Sequence, residues 1–572
     1  GLFSQRFIDS FNHAYDRLLE RYKKGVGHFV KRPWLSMGFV ALSIALLMFT
    51  MAKTPTTLVP NEDTGTIMCA VTLPPGTSQD RTDKMLRQVE KLVMASPLVD
   101  NTAVVSGFSF LGGQGSSYGS FIIKLKPWEE RNSVTESSTM VFANLYLESQ
   151  KAFKDAQVLF FQRPMITGYG VSNGFSLNLQ DRTGGDLTKF KKVADDFIAE
   201  LIKRPEIQSA QTNFDTRFPQ YTIDIDAAQC KRAGLSPTDV LTTLQGYLGG
   251  LYSSNFNRFG KVYRVMVQAD FADRSNIESL NNIKVRNNRG EMAPITQFMT
   301  LTPTEGPDVI SRFNMFTSIA INGNPADGYT SGQAVKAVEE VAKSTLPVGY
   351  TYEYSGLTRE EQSSGSSTTG LVFVLCFVFI YLLLAAQYES YFLPFAVLLS
   401  VPFGLLGAFL FIHLMGSLGY IPGMVGKILG AIFGQAQNNI YVQISLIMLM
   451  GLLAKNAILI VEFALDRRKM GMSITAASLH GAAARLRPIL MTSMAMIIGL
   501  LPMMFAFGVG ANGNRALGTT AVGGMFIGMI CQIFVVPALF RIFQGIQEHF
   551  KPIDFGDLHD ADATPDLEQY TK

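Results

Sequence analysis

Six apolar runs limit what this chain can fold into more than any other feature. They fall at about 33–52, 370–387, 392–414, 441–464, 488–508 and 517–544, each close to the roughly 20 residues a helix needs to cross a bilayer. One run stands near the start, five crowd the last third, and a polar stretch at 56–365 lies between them. Hydrophobic residues make up 47% and charged residues 17%, against roughly 25% charged in an average soluble domain. The expected fold is an α-helical membrane bundle of six spans carrying a large soluble lobe. A net charge of only +3 argues against nucleic acid as a partner. Cys69, Cys230, Cys376 and Cys531 form no CxxC pair, and the six histidines are dispersed. No disulfide framework, metal site or cofactor is therefore expected.

Lysine and arginine near the ends of the runs set the orientation. Arg17, Arg21, Lys23, Lys24, Lys31 and Arg32 precede the first run, Arg467, Arg468 and Lys469 separate the fourth from the fifth, and Arg541 and Lys551 follow the sixth. Six crossings put all three groups on one side, expected to be the cytoplasm. The lobe then faces the periplasm of a Gram-negative cell. Residues 1–32 read as an amphipathic helix, with Phe3, Phe7, Phe11 and Tyr15 four apart and Leu18 and Tyr22 extending the stripe. Such a stripe suits a membrane interface and a packing partner alike. The tail, 546–572, is expected in the cytoplasm, and beyond 552 its polar, acid-rich composition predicts disorder.

The lobe alternates strand and helix patterns. Strands are expected at 66–73 and 99–108 around a helix at 80–95, then at 120–125 and 157–161 around a helix at 135–153. The pattern restarts with strands at 175–179, 208–213 and 221–225 and a helix at 187–203, and resumes with 318–322, 332–342 and 352–354. Both first helices end at a proline before a strand, Pro97 and Pro205, which supports an internal duplication. The expected organisation is a first α+β subdomain at 56–173, a second at 174–249 and 316–360, a β-rich insertion at 250–315, and the remaining spans within 366–545.

Lys455, in Ala454-Lys455-Asn456-Ala457, is the strongest chemical signal. It lies twelve residues before Arg467, about 18 Å along a helix, which places it near the bilayer midplane and beyond a lysine's reach to the surface. A lysine there costs roughly 2.5–3.5 kcal/mol on insertion scales, so it needs a carboxylate or a wet path. Arg485 and Thr492 lie two helical turns apart on one face at the start of the fifth run. Arg485 alone reads equally as a positive-inside anchor; with Lys455 it suggests a polar relay. No Asp lies inside any run, and the only Glu is Glu462 near one end. The counter-charges must come from another set of spans, so the chain reads as one half of a longer machine. Gly426-Lys427 lacks the flanking residues of a phosphate-binding loop. A proton gradient is the natural alternative to ATP, one charge across 100 mV yielding about 2.3 kcal/mol. No GxSxG or HExxH occurs, and no enzyme is expected. In the lobe, Gly107-Phe108-Ser109-Phe110-Leu111-Gly112-Gly113 couples glycines to two phenylalanines. It reads either as a mobile gate on an apolar cleft or as a hairpin tip with its rings tucked in.

Together these features resemble the resistance-nodulation-division superfamily, in its hydrophobe/amphiphile efflux branch of the acriflavine-resistance type. The likeness rests on 451–463 around Lys455, on 485–493, on Tyr388-Glu389-Ser390 and on Leu58-Val59-Pro60-Asn61-Glu62-Asp63. It covers nearly the whole chain and corresponds to the second half of that family's usual length. The resemblance implies a drug:proton antiporter, with Lys455, Arg485, Thr492 and Asn456 in a proton relay completed by two aspartates of the missing N-terminal half. It implies that Phe108 and Phe110 form a switch loop, and that Val105, Phe121, Phe175 and Asn213 line pockets for small hydrophobic substrates. It further implies porter subdomains, a docking insertion at 250–315, a homotrimer, a periplasmic adaptor and an outer-membrane channel. Ala103 and Gln211 replace a phenylalanine and an arginine common in the family, which bears on the drug spectrum. The connection at 416–440 is longer than usual, and its apolar face (Met424, Val425, Ile428, Leu429, Ile432, Phe433) predicts a helix. Two alternatives stand beside this reading: a metal-ion exporter of the same superfamily, and a non-transporting membrane fragment, sensor or structural protein.

Overall fold

The structure, a computed structural model, describes residues 2–131, 136–163, 165–166, 168–170, 174–326, 329–364, 367–418 and 437–552, with side chains from residue 12 onward except 139 and 364–369. Of the expected helix at 422–437 only Gln437 is described, without helical structure; the apolar face and the acidic tail beyond 552 lie outside the described residues, as do the side chains of Phe3, Phe7 and Phe11. The chain divides into two compact units, one made of Gly1–Leu73, Ser78–Asn213 and Ser311–Lys572, the other of Pro74–Thr77 and Phe214–Ile310.

In the first unit, β1 (Thr66–Thr72), α3 (Gln79–Met94), β2 (Val99–Ser109), β3 (Gly113–Leu125), α4 (Ser138–Ala152) and β4 (Gln157–Gln162) form an antiparallel sheet ordered β2-β3-β1-β4. This is a split βαβ arrangement. Period-two alternation turns Ile67, Cys69 and Val71 toward the helices and Met68 and Ala70 to the other face. The motif repeats. β5 (Phe175–Asp181), α5 (Leu187–Ile202), β6 (Ile207–Gln211), β14 (Phe316–Pro325), α8 (Ser331–Thr345) and β15 (Tyr350–Tyr354) make a second sheet, in which β14 pairs β5 and β6 and β5 pairs β15.

The interruption starts earlier than expected. β7 (Phe218–Ile225) and the helices that follow it, expected in the second subdomain, belong to the other unit, where β7 pairs β12 (Met299–Gly306). β6 already occupies the place beside β14, so β7 takes its ladder from a strand some eighty positions away. That unit closes a small core over Cys230, Val240 and Leu244, on α6 (Ala227–Ala233) and α7 (Pro237–Leu244). Its hairpin of β8 (Leu251–Arg258) and β9 (Lys261–Val267) is exposed almost throughout.

Among the described residues, six helices are long and apolar enough to cross a membrane: Pro33–Lys53 (α2), Gly370–Tyr388 within α10, Leu393–Ser417 (α11, Leu393–Leu398, and α12, Val401–Ser417), Ile440–Lys469 (α13), Ile474–Met504 (α14) and Ala511–Phe550 (α15). α9 (Gly356–Ser364) precedes them, and α10 runs over Ser367–Tyr388. The fifth begins before the expected 488 and contains Pro488, whose missing N–H is tolerated inside the helix. α15 lies at the centre. Its Gly523, Gly524 and Gly528 meet Gly404 and Gly407 of α12 so closely that a Cβ on Gly528 would sit 2.9 Å from the Gly404 Cα. Small residues let helix backbones approach without the hydrophobic effect to drive them together. Gln532, fully buried, donates to Ser400 Oγ (3.0 Å) and the Leu453 carbonyl (3.2 Å).

α1 (Leu2–Lys31) packs on α15 through Tyr22, Val26 and Val30, all buried. Leu19 joins this contact, whereas Leu18, expected in the stripe, is half exposed. The repeat of 3.6 residues per turn carries the stripe to 15-19-22-26-30, so over its described side chains the helix is a packing partner. Pro537 has no N–H to offer the Ile533 carbonyl, and the Tyr22 hydroxyl donates to it instead, at 2.6 Å. Burial raises the pKa of that hydroxyl, so it remains a donor. Tyr22→Phe is expected to lower the stability of the purified protein by about 1–3 kcal/mol. In a Pro537→Ala background, where residue 537 regains an N–H, the loss should shrink. Thermal unfolding of the four variants checks this, and an equal loss in both backgrounds would remove the role given to Tyr22.

Candidate functional site

Lys455 stands midway along α13 and is exposed on this chain; among the described residues its ammonium has no hydrogen-bond or ion-pair partner. The neighbouring Asn456 is buried and donates through Nδ2 to Ser493 Oγ of α14, 3.0 Å away. Thr492, one residue before Ser493, is exposed, and its hydroxyl donates back to the Pro488 carbonyl at 3.0 Å. Of the four expected relay residues, Asn456 thus makes an interhelical hydrogen bond, and Lys455 and Thr492 are the sequence neighbours of its two ends. Arg485 does not join them. Its guanidinium lies 4.8 Å from the centre of the Phe463 ring, which stacks on His480, and its Nε is buried without a partner among the described residues. Ser493 was within reach of sequence reasoning, since it falls in the quoted 485–493 motif, but only pairing across helices singles it out.

In the lobe the Phe108–Phe110 segment is an ordered hairpin tip. Gly107, at φ +77, sits where the β2–β3 register shifts, a conformation glycine adopts without strain. The Ser120 hydroxyl donates to the Phe108 carbonyl (2.8 Å) and accepts from the Phe110 N–H (3.3 Å). The two rings meet edge to face at 5.4 Å. Gly112 lies against Asn213, a Cβ there falling 3.4 Å from Nδ2. Val105, on β2 opposite Ser120, is 38% exposed. Phe108, Phe110, Val105 and Asn213 are therefore accessible or half-buried around one tip. Phe121 and Phe175, expected as pocket linings, are instead buried at 0% and 1% exposure. Phe121 alternates in phase with Ile123 and Leu125 and so faces the helices, and the Phe175 ring covers Gly323.

The cleft itself lies between the two sheets, a cavity of about 320 Å³. Phe142 and Tyr146 of α4, stacked at 6.4 Å, form one wall with Phe161 and Leu111. Gln211, Ser209, Asn322 and Asn324, from β6 and β14, form the other. Among the described residues, none of its lining side chains is charged. Phe110 and Leu111 pack on Met68, Ala70 and Phe161, so the hairpin tip backs this wall. The sequence reading missed Phe142 and Tyr146; their spacing of four on a helix was a signal, but nothing local distinguishes a cleft wall from a core.

The sequence profile of the AcrB/AcrD/AcrF family matches residues 3–428 and 418–544, dividing where the long 416–440 connection falls. Over 566 residues the chain is 33% identical to the toluene efflux pump membrane transporter TtgB of Pseudomonas putida, covering 99% of this chain and 51% of that protein. It is 34% identical over 568 residues to the antibiotic efflux pump membrane transporter ArpB, also of Pseudomonas putida, covering 99% and 51%. To the multidrug export protein AcrF of Escherichia coli it is 33% identical over 547 residues, covering 94% and 51%. The chain spans about half the length of the curated relatives it matches. With the profile covering nearly all of it, and the Lys455 motif and the repeated split βαβ subdomains in place, the chain belongs to the AcrB/AcrD/AcrF family.

Proposed function

We propose that this chain is the C-terminal half of a proton-driven exporter of hydrophobic and amphiphilic compounds. It works in an inner membrane with its lobe in the periplasm, as a homotrimer joined to a periplasmic adaptor and an outer-membrane channel. The observation that carries the reading is Lys455, a cation midway along a 30-residue apolar helix with no anionic partner among the described residues. Two carboxylates from the N-terminal half neutralise it when unprotonated and release it when protonated. Thr492, Asn456 and Ser493 hold the surrounding hydrogen bonds, and Arg485 rearranges toward them. An ion pair that forms and breaks with each proton is how a gradient does mechanical work across an apolar core. The names of the relatives, pumps for toluene and antibiotics among them, agree with this substrate class.

Substrates pass the cleft between the two sheets and the Phe108–Phe110 tip, whose surroundings include Val105 and Asn213. Aromatic faces and neutral amides suit uncharged or weakly charged amphiphiles. The exposed β8–β9 hairpin, with Tyr252, Phe256, Val262 and Met266 outward, is a surface of the kind another chain covers, which supports the assembly part of the reading.

Lys455→Ala in the complete transporter is expected to abolish drug resistance and proton-coupled efflux while trimer assembly, measured by native gel, persists; efflux that survives would overturn the relay. Phe108→Ala and Phe110→Ala should narrow the drug profile, seen as lowered inhibitory concentrations for bulky apolar drugs, and unchanged susceptibility across several drugs would count against the tip. Gln211→Arg places a cation in the neutral wall and should raise efflux of anionic relative to cationic dyes by about tenfold, the scale of one charge pair in a partly dry site; an unchanged ratio would separate the cleft from the substrate path.

A further inference from the structure

α15 has no cap of its own. Gly510, its N-cap residue, offers no side chain, and the first free N–H groups of the helix are taken by a carboxylate 450 residues away in sequence. Glu62 accepts from Asn512 N–H at 3.0 Å and from Gly513 N–H at 2.6 Å, and Asn512 Nδ2 donates to the Asn61 carbonyl at 2.5 Å. Asp63 makes the matching contact on the lobe. It accepts from the N–H of Ser138, the first residue of α4, at 2.7 Å, and from Arg131 Nη1 at 3.1 Å. α4 also lacks a side-chain cap from its own N-cap residue. Two consecutive carboxylates therefore each sit on the positive end of a different helix, their Cα atoms one peptide unit, about 3.8 Å, apart.

The helices so joined are not arbitrary. α15 packs its Gly524 and Gly528 against Leu449 and Leu453 of α13, the helix that carries Lys455. α4 carries Phe142 and Tyr146, one wall of the cleft. We infer that Glu62 is a positioning residue that gears α15 to α4, so that displacement of the helix packed on the Lys455 helix reshapes the aromatic wall. This rests on the transport reading above. An ionic seat on backbone amides suits the task because it transmits a push along the helix axis and a pull equally. A contact between apolar side chains would slide.

The test uses the complete transporter reconstituted in vesicles, with Cys376→Ala and Cys531→Ala as background. Glu62→Ala should leave trimer assembly and the affinity for a fluorescent dye within about twofold, while maximal dye efflux falls about tenfold, the loss expected when a charge-assisted contact is removed. Adding Asn61→Cys and Asn512→Cys and joining them with a short thiol crosslinker should restore efflux to the Glu62→Ala protein. Full efflux by Glu62→Ala, loss of dye affinity or assembly in parallel with efflux, or no recovery on crosslinking would each overturn the gearing role. Lys455→Ala measured alongside keeps the two ideas apart: if it still exports, the transport reading fails; if it is inactive while Glu62→Ala is active, only the gearing fails.

Discussion

A backbone carbonyl that water cannot reach has to be bonded from within the protein, and the bundle around α15 is arranged by that requirement. Pro537 frees the Ile533 carbonyl, and Tyr22 of α1 closes it. The Ser478 hydroxyl of α14 donates to the Pro537 carbonyl itself at 2.5 Å. Gln532, one residue before Ile533, spends its amide on the break between α11 and α12 and on the α13 backbone. Within two turns of one helix, contacts thus run to α1, α14, α13 and the α11–α12 break. The glycine seam against α12 brings the backbones close enough for the amide of Gln532 to reach. A bundle held by directional bonds at short range has few ways to repack, so a displacement of one helix is handed to its neighbours.

The same economy of partners explains the connector after α2. Residues 55–58 run alongside the entry to α13, with Asn438 N–H donating to the Pro55 carbonyl at 2.8 Å and Ile440 N–H to the Leu58 carbonyl at 3.1 Å. The Leu58 N–H and the Ser331 hydroxyl both donate to Glu361, each at 2.9 Å, which ties the start of α8 to α9. Glu62 and Asp63 then reach α15 and α4. A short segment thereby touches both α+β subdomains and the ends of two apolar helices, and its partners include the first amides of α13, α15 and α4.

How much of this the sequence showed follows from the range of the physics involved. The six apolar helices and both split βαβ subdomains were legible, because runs of about 20 apolar residues and period-two strands are local patterns. Pro97 and Pro205 even exposed the duplication. The start of the insertion was not legible: Tyr221, Ile223 and Ile225 alternate as any strand does, and only the ladder with Met299–Gly306 shows which sheet owns them. Lys455 stood out because burying a charge is costly wherever it occurs. Asn456–Ser493 did not, because neutral polar residues on apolar helices acquire meaning only from the facing helix. Phe121 and Phe175 were placed in pockets by resemblance, yet strand phase puts them in cores. Phe142 and Tyr146 were missed for the opposite reason: their helical spacing is visible, but a cleft exists only between two subdomains.

Charge is distributed unevenly between the two candidate centres, and that limits how they can communicate. Among the described residues the cleft lining holds no charged side chain, whereas a cation without a partner sits in the bundle on α13. On the proposed reading a substrate in the cleft has no carboxylate or ammonium there with which to exchange a proton, and substrates of different charge are handled by the same neutral wall. On the same reading, the described lining offers no carboxylate, imidazole or amine for proton and substrate to share. The proposed coupling runs instead through movement of packed elements. The bonds that join those elements are the interhelical contacts of α15 and the two consecutive carboxylates that follow α2; on the proposed reading the shape and polarity of the cleft select the cargo, the bundle takes up the energy, and the connector is the part common to both.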